Sequence, residues 1–320
     1  MSQDRLLLMS PPKFSFSGHE TFPFRHSWLK KGVDAVLADP EIFNKDHAIV
    51  VLGVGKNMVR SIRHWCLATG VLMEEPKSRG RRLQVTPLGH SIFGPQGFDP
   101  YLEDPATLWL LHWNLLRQDQ RCTTWRIVFN DYPYTEFSRE SLFQYILEMV
   151  RKAGMDIYSE NSIRRDVDVF LRMYAGSFDF RNSALIEETL ECPLSELGLI
   201  EVTQGGQVYV LQRAARDTLP DLIFLYCLYN YWSSLSSPRQ SLAFTSIAYD
   251  KGSPGVLFRL DENSIAVRLE QLELLTSGAL IYTETSGLRQ VHKRVDLDPQ
   301  EILRQYYART GEIHSLGVLA

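Results

Sequence analysis

The chain has no run of about 20 apolar residues, so no segment could cross a membrane as a helix. Its N-terminal apolar patch, Leu6 to Met9, is too short for a secretory signal and reads as a leader strand or frayed tail. Cysteine is scarce. Cys66, Cys122, Cys192 and Cys227 lie far apart with no CxxC pair, which excludes a zinc ribbon or a disulfide framework. Cys66 and Cys227 sit in apolar helical patterns and read as small core residues, and a reducing cytoplasm is the expected compartment. A strong charge of one sign is also missing: 34 Lys and Arg against 38 Asp and Glu leave a net −4. Taken alone, that average argues against a nucleic-acid binder.

The average hides an asymmetry. Residues 1–100 hold 13 basic and 9 acidic side chains, a net of +4, while the remainder is at −8. Between Lys56 and Arg82 there are seven basic residues and two acidic ones. Exposed charges act over a Debye length of about 8–10 Å, so a local basic footprint on an acidic body can still hold phosphates. At 320 residues and 44% hydrophobic content the chain can build two or three domains with their own cores.

The stretch VLGVGKNMVRSIRHWCLATGVL, Val51 to Leu72, invites two readings. A phosphate-binding loop needs G-x-x-x-x-G-K-[ST]; here the first glycine position is Val50 and the hydroxyl position is Asn57. Gly53-Val54-Gly55 also lacks the third glycine of a dinucleotide fingerprint. No nucleotide cofactor is therefore expected. A helix fits better. From Asn57 to Thr69, the 3–4 residue spacing puts Met58, Ile62, Trp65, Cys66 and Thr69 on one face. Lys56, Arg60, Arg63 and His64 fall on the other, with Asn57 and Ser61 beside them. Lysine and arginine one turn apart suit a row of phosphates or guanine edges, and Asn57 suits adenine.

The neighbouring segments give that helix a setting. Ser27 to Ala38 reads as a helix ended by Asp39-Pro40, and a short one follows around Lys45 to Leu52. Gly70 to Met73 and Arg82 to Val85 read as strands, with Glu74 to Arg81 as a charged tip between them. Thr86 and Pro87 have N-cap and first-turn character for a helix to Phe93. Three helices, strand, charged tip and strand make the order of a winged helix-turn-helix, whose wing would add Lys77, Arg79, Arg81 and Arg82 to the DNA-facing set. Two later segments echo it: Ser159-Glu160-Asn161-Ser162-Ile163 and Asp261-Glu262-Asn263-Ser264-Ile265 each open a helix followed by a β-ribbon pattern. The spaces between are helical: Pro105 to Arg117, Glu136 to Lys152, and Leu219 to Trp232, the last apolar nearly all round. The expected fold is mainly α with small β-ribbons, an α+β chain. Its expected units are a winged-helix domain over 1–95, a helical region with a second winged-helix-like unit over 96–212, and a third over 213–320.

The segments FSGHETFPFRHSWLKKGVDAV, LGVGKNMVRSIRHWCLATG, TPLGHSIFG and DPYLEDPATLWLLHWNL together resemble the SspB-like family, found in bacterial DNA phosphorothioation clusters. The resemblance runs along essentially the whole chain and is densest over residues 14–130. It implies binding of double-stranded DNA and metal-dependent nicking of one strand. It also implies action beside a cysteine desulfurase, an ATP-pyrophosphatase-like sulfur transferase and an ATPase. A DNA-binding specificity subunit or regulator without catalysis is the alternative role.

The residues themselves give only loose candidates for a nuclease site. Cleavage of a phosphodiester uses carboxylates that hold metal, with a base or cation near the leaving oxygen. Glu75-Pro76-Lys77 has E-x-K spacing but no Pro-Asp pair upstream. Ser17-Gly18-His19-Glu20-Thr21 with Arg25 and His26 gathers a carboxylate, imidazoles and a guanidinium, so His19, Glu20 and Arg25 are the catalytic candidates. Ser17 and Glu20 also have capping-box spacing. Asp99 and Glu103 are the candidate ligands for a magnesium or manganese ion, whereas Asp104 before Pro105 is a natural N-cap. His112 and Trp113 lie in an apolar helix and read as core.

Overall fold

The N-terminal helices follow the apolar spacing of the sequence. The computed structural model describes residues 14–117, 121–154, 158–175, 192–203, 205–236 and 239–317. Helix α1 (His26–Ala38) buries Trp28, Leu29, Val33 and Val36, and stops as Asp39 turns extended ahead of Pro40. A 3-10 turn (Ile42–Asn44) precedes the short helix α2 (Ala48–Leu52), which ends where expected and starts three residues after Lys45. Gly53, at φ 65°, ends α2 in the left-handed conformation, and α3 (Lys56–Ala68) follows after an extended Gly55. At Gly32 a Cβ would lie 2.4 Å from Cys66 Sγ, so the missing side chain sets how closely α1 meets α3.

Strands β1 (Leu72–Glu74) and β2 (Leu83–Val85) pair antiparallel, Leu72 opposite Val85. Helix α4 (Pro87–Phe93) starts as the sequence indicates: Thr86 Oγ1 accepts the Gly89 N–H at 3.0 Å, and Pro87 occupies the first turn. Gly89 packs so tightly that a Cβ would sit 2.2 Å from the Val71 carbonyl oxygen.

The centre is helical. α5 (Pro105–Arg117), bounded as expected, is buried over most of its length, and α6 (Thr123–Asn130) follows it. The expected helix from Glu136 begins later. Glu136–Phe137 is instead a short strand, β3, and Ser138 with Ser141 forms a reciprocal capping box that starts α7 (Arg139–Lys152). Phe137 stacks on Tyr209 at 5.6 Å, which fixes β3 to β5 (Tyr209–Val210) in a sheet ordered β3-β5-β4, with β4 at Glu201–Val202. Both echo segments do open helices. Ser159 caps α8 (Glu160–Tyr174), and Asp261 caps the helix Glu262–Glu270 through the Ser264 N–H at 2.7 Å. A second three-stranded sheet joins β6 (Ser241–Ala243) to the hairpin β7 (Leu280–Thr285) and β8 (Leu288–Lys293).

The fold is thus mixed α+β: mainly helices with small antiparallel sheets. The largely apolar helix Asp221–Ser233 is mostly buried and packs on the C-terminal helix Pro299–Gly317 and on α5. His112 is core, as its helix implied. Its ring accepts from Tyr174 O–H at Nδ1 (2.7 Å) and donates from Nε2 to the Leu257 carbonyl (2.9 Å). Burial pushes its pKa down to about 3, against a small opposing effect of the Leu257 bond. Among the described residues no helix is long and apolar enough to cross a membrane.

Candidate nucleic-acid interface

Helix α3 presents the face that the spacing implied, with two corrections. Ile62, Trp65, Cys66 and Thr69 are buried, and Lys56, Asn57 and Arg60 are exposed. His64 is not outward-facing. It is 6% exposed, its ring 4.9 Å from that of Trp65 and its Nε2 3.9 Å from Cys122 Sγ. Burial, followed by the charges of His19, Arg121 and Arg63, holds its pKa well below the usual range, so it is a neutral core group. Arg63 is half-buried and serves as a strut. Its Nη2 donates to the Gly80 carbonyl at 3.0 Å and lies 3.3 Å from Glu74. Burial lowers its pKa, while the Glu74 charge opposes that shift.

That strut seats the tip between β1 and β2 against α3. Lys77 (φ 66°), Arg79 (φ 54°) and Gly80 (φ 74°) turn the chain through left-handed conformations. Lys77, Arg79 and Arg81 are exposed, and none has an acidic partner among the described residues. Arg82 differs: Glu75 at 2.8 Å and Glu41 at 3.2 Å engage it and raise its pKa. The Glu75–Lys77 spacing therefore belongs to the charged tip. Arg121, which the sequence reading overlooked, joins the same region by donating to Glu74 at 2.9 Å.

The SGHET segment is a loop wedged between α3 and α8. Three non-glycine residues in it have positive φ: Ser17 at 65°, Glu20 at 49° and Thr21 at 67°. Such conformations cost about 1–3 kcal/mol each and persist only where surrounding contacts impose them. Asp166 of α8 imposes them. Its Oδ1 accepts from Ser17 N–H (2.9 Å) and from His19 Nε2 (2.8 Å), and Arg172 donates to the Thr21 carbonyl at 2.6 Å. His19 Nδ1 accepts the Thr21 N–H at 3.1 Å, so it is Nε2 that faces Asp166. No capping box forms here, since Ser17 Oγ donates to the Ser162 carbonyl instead.

This loop redistributes the catalytic candidates. His19 is 1% exposed and stacked parallel to Trp65, out of reach of any substrate; it is a positioning group. Glu20 reaches the surface, 3.4 Å from Arg60. Arg25 lies over the Trp28 ring at 5.5 Å. The residue anchoring this loop, which the sequence pattern did not single out, is Asp166. Its signal was available: it falls at helical spacing with Ile163, Val167 and Phe170, a lone acid on an apolar face.

The expected metal ligands do not fit a metal. Asp99 is 5% exposed, and its two carboxylate oxygens accept the backbone N–H groups of Glu103 (2.8 Å) and Asp104 (3.1 Å). It caps a turn, while the Glu103 side chain points to solvent. Among the described residues, no three His, Cys, Asp or Glu side chains gather closely enough to hold an ion.

Residues 16–307 match the family model described as protein of unknown function, DUF4007. The chain is 32% identical to a crystal structure of SspB, over 92% of this chain and 88% of that one, with a TM-score of 0.82. A magnesium ion-bound SspB crystal structure matches over the same shares, at 32% identity and a TM-score of 0.83. No curated protein matches the chain.

Proposed function

The chain belongs to the DUF4007 family and is similar to SspB along most of its length, and from that premise we propose that it is a DNA-binding component of a DNA phosphorothioation system. Double-stranded DNA would lie across α3 and the β1–β2 tip, arranged as the recognition helix and wing of a winged helix. The observation that carries the reading is the set of exposed cations Lys56, Lys77, Arg79 and Arg81, which lack acidic partners among the described residues beside the Arg63 strut. Cations not already paired are the ones that exchange counterions for phosphates. Arg60 adds a fifth cation, partly held by Glu20. The test is salt-dependent binding to duplex DNA that weakens when these residues are neutralised.

A second reading adds magnesium-dependent nicking of one strand. It is favoured by the magnesium ion-bound structure of the similar SspB protein. Here Asp99 and Glu103 are unsuited to the metal, and Glu20 is the carboxylate that reaches the surface beside Arg60. Supercoiled plasmid with and without magnesium or manganese separates the readings. Open circles lost in Glu20→Ala support nicking; binding without open circles leaves the first reading alone. Its partners would be the cysteine desulfurase, sulfur transferase and ATPase of the same system.

A further inference from the structure

A second basic site lies away from the α3 surface. The C-terminal end of α5, helix α6 and the turn ahead of the helix Pro254–Leu257 enclose a cleft of about 430 Å³. Among the described residues, Arg117, Arg126 and Lys251 line it, with Asp131 the one carboxylate. This concentration of positive charge stands out in the portion of the chain with a net charge of −8.

Two of the cations are held in place. Arg117 lies over the Trp113 ring at 4.9 Å, and Lys251 pairs with Asp131. Arg126 is half-buried and has no acidic partner among the described residues, so its fork of N–H donors is free to chelate. Asn130 rivets the rim, accepting the Gly252 N–H at 2.7 Å and donating to the Arg126 carbonyl at 3.1 Å. A planar guanidinium matches two phosphate oxygens, and an ammonium adds a point charge. Leu116 supplies an apolar wall, and the volume exceeds that of a lone phosphate.

We propose that this cleft binds the phosphate group of a nucleotide, carried either by a DNA strand or by a free nucleotide. Arg126 is the bidentate ligand, Lys251 the second charge, and Arg117 the fixed wall. The site does not depend on the α3 surface, and the experiment keeps the two apart.

Inorganic phosphate is titrated into the full chain and followed by calorimetry. Saturable binding is expected, weakened at least about tenfold in the double variant Arg126→Gln/Lys251→Gln with an unchanged melting temperature. Lys56→Gln/Arg79→Gln should leave phosphate affinity unchanged, as should Arg151→Gln elsewhere on the surface. Competition then assigns the source: displacement by short oligothymidine points to a DNA strand, and displacement by AMP alone to a free nucleotide. The proposal is overturned if phosphate does not bind saturably, if the double variant binds it as the parent does, if the α3 variant abolishes binding, or if neither competitor displaces it.

Discussion

Replacing Asp166 with alanine should release the SGHET loop while leaving the rest of the fold in place. The substitution strands two donors, Ser17 N–H and His19 Nε2–H, which now share one carboxylate oxygen at 2.9 and 2.8 Å. A buried donor left without a partner costs about 1–3 kcal/mol. The loss is partly offset, because Asp166 Oδ2 is buried without a hydrogen-bond partner and its desolvation is relieved. The strain in Ser17, Glu20 and Thr21 pulls in the same direction as the mutation, since opening lets them leave the left-handed region. A local destabilisation of about 2–4 kcal/mol follows. Hydrogen exchange at the Ser17 and Thr21 amides reads it directly, with rates expected to rise roughly 30- to 1000-fold. Amides inside α5 should be unaffected. His19→Ala keeps the Ser17 bond but removes the acceptor of the Thr21 N–H, so Thr21 exchange should rise. The double variant should fall short of the sum of the single ones, because both remove the His19–Asp166 bond. Unchanged Ser17 exchange in Asp166→Ala, or full additivity of the two substitutions, would refute the anchoring role.

Three further outcomes follow from the same geometry. His112 and His64 are neutral in the folded chain, with pKa values pushed down to about 3 and well below the usual range respectively. The unfolded chain therefore binds protons at these sites that the folded chain does not, from about pH 6.5 downward. Stability should fall by about 1 kcal/mol per pH unit per histidine on average between pH 6.5 and 5, as denaturant titrations would show; a flat profile there contradicts the assignment. Gly89→Ala pushes a Cβ to 2.2 Å from the Val71 carbonyl oxygen and should destabilise by about 1–3 kcal/mol, with a lowered urea midpoint; a variant as stable as the parent would mean that α4 can shift freely. Glu20→Gln frees Arg60 and removes a negative charge from the proposed DNA face, so duplex affinity at low salt should rise about two- to fivefold. A fall in affinity would place Glu20 among the groups that hold DNA.

Much of this was legible because local rules and tertiary packing agree. Thr86-Pro87, Ser159 and Asp261 start helices through their own side chains, and an amphipathic pattern as regular as that of α3 leaves little choice of buried face. What stayed hidden depends on partners far along the chain. His64 sits at the edge of the polar face by spacing alone; it is buried because the His19 loop and Cys122, 58 residues away, close over it. His19 looks like a catalytic imidazole until Asp166, 147 residues on, engages it. Asp99 looks like a ligand until two backbone amides fill its oxygens. Strand β3 is masked by a helical pattern because the capping box at Ser138 divides a stretch whose apolar spacing runs through it.

The most direct test of the DNA-binding account is the salt dependence of duplex affinity, measured by anisotropy on the parent chain and on Lys56→Gln/Lys77→Gln/Arg79→Gln/Arg81→Gln. Each phosphate that the variant no longer neutralises should flatten the plot of log affinity against log salt by about 0.9, so the four substitutions together should reduce the slope by roughly 3–4. A parent chain that does not bind duplex DNA, or a quadruple variant with the parent's slope, would contradict the account.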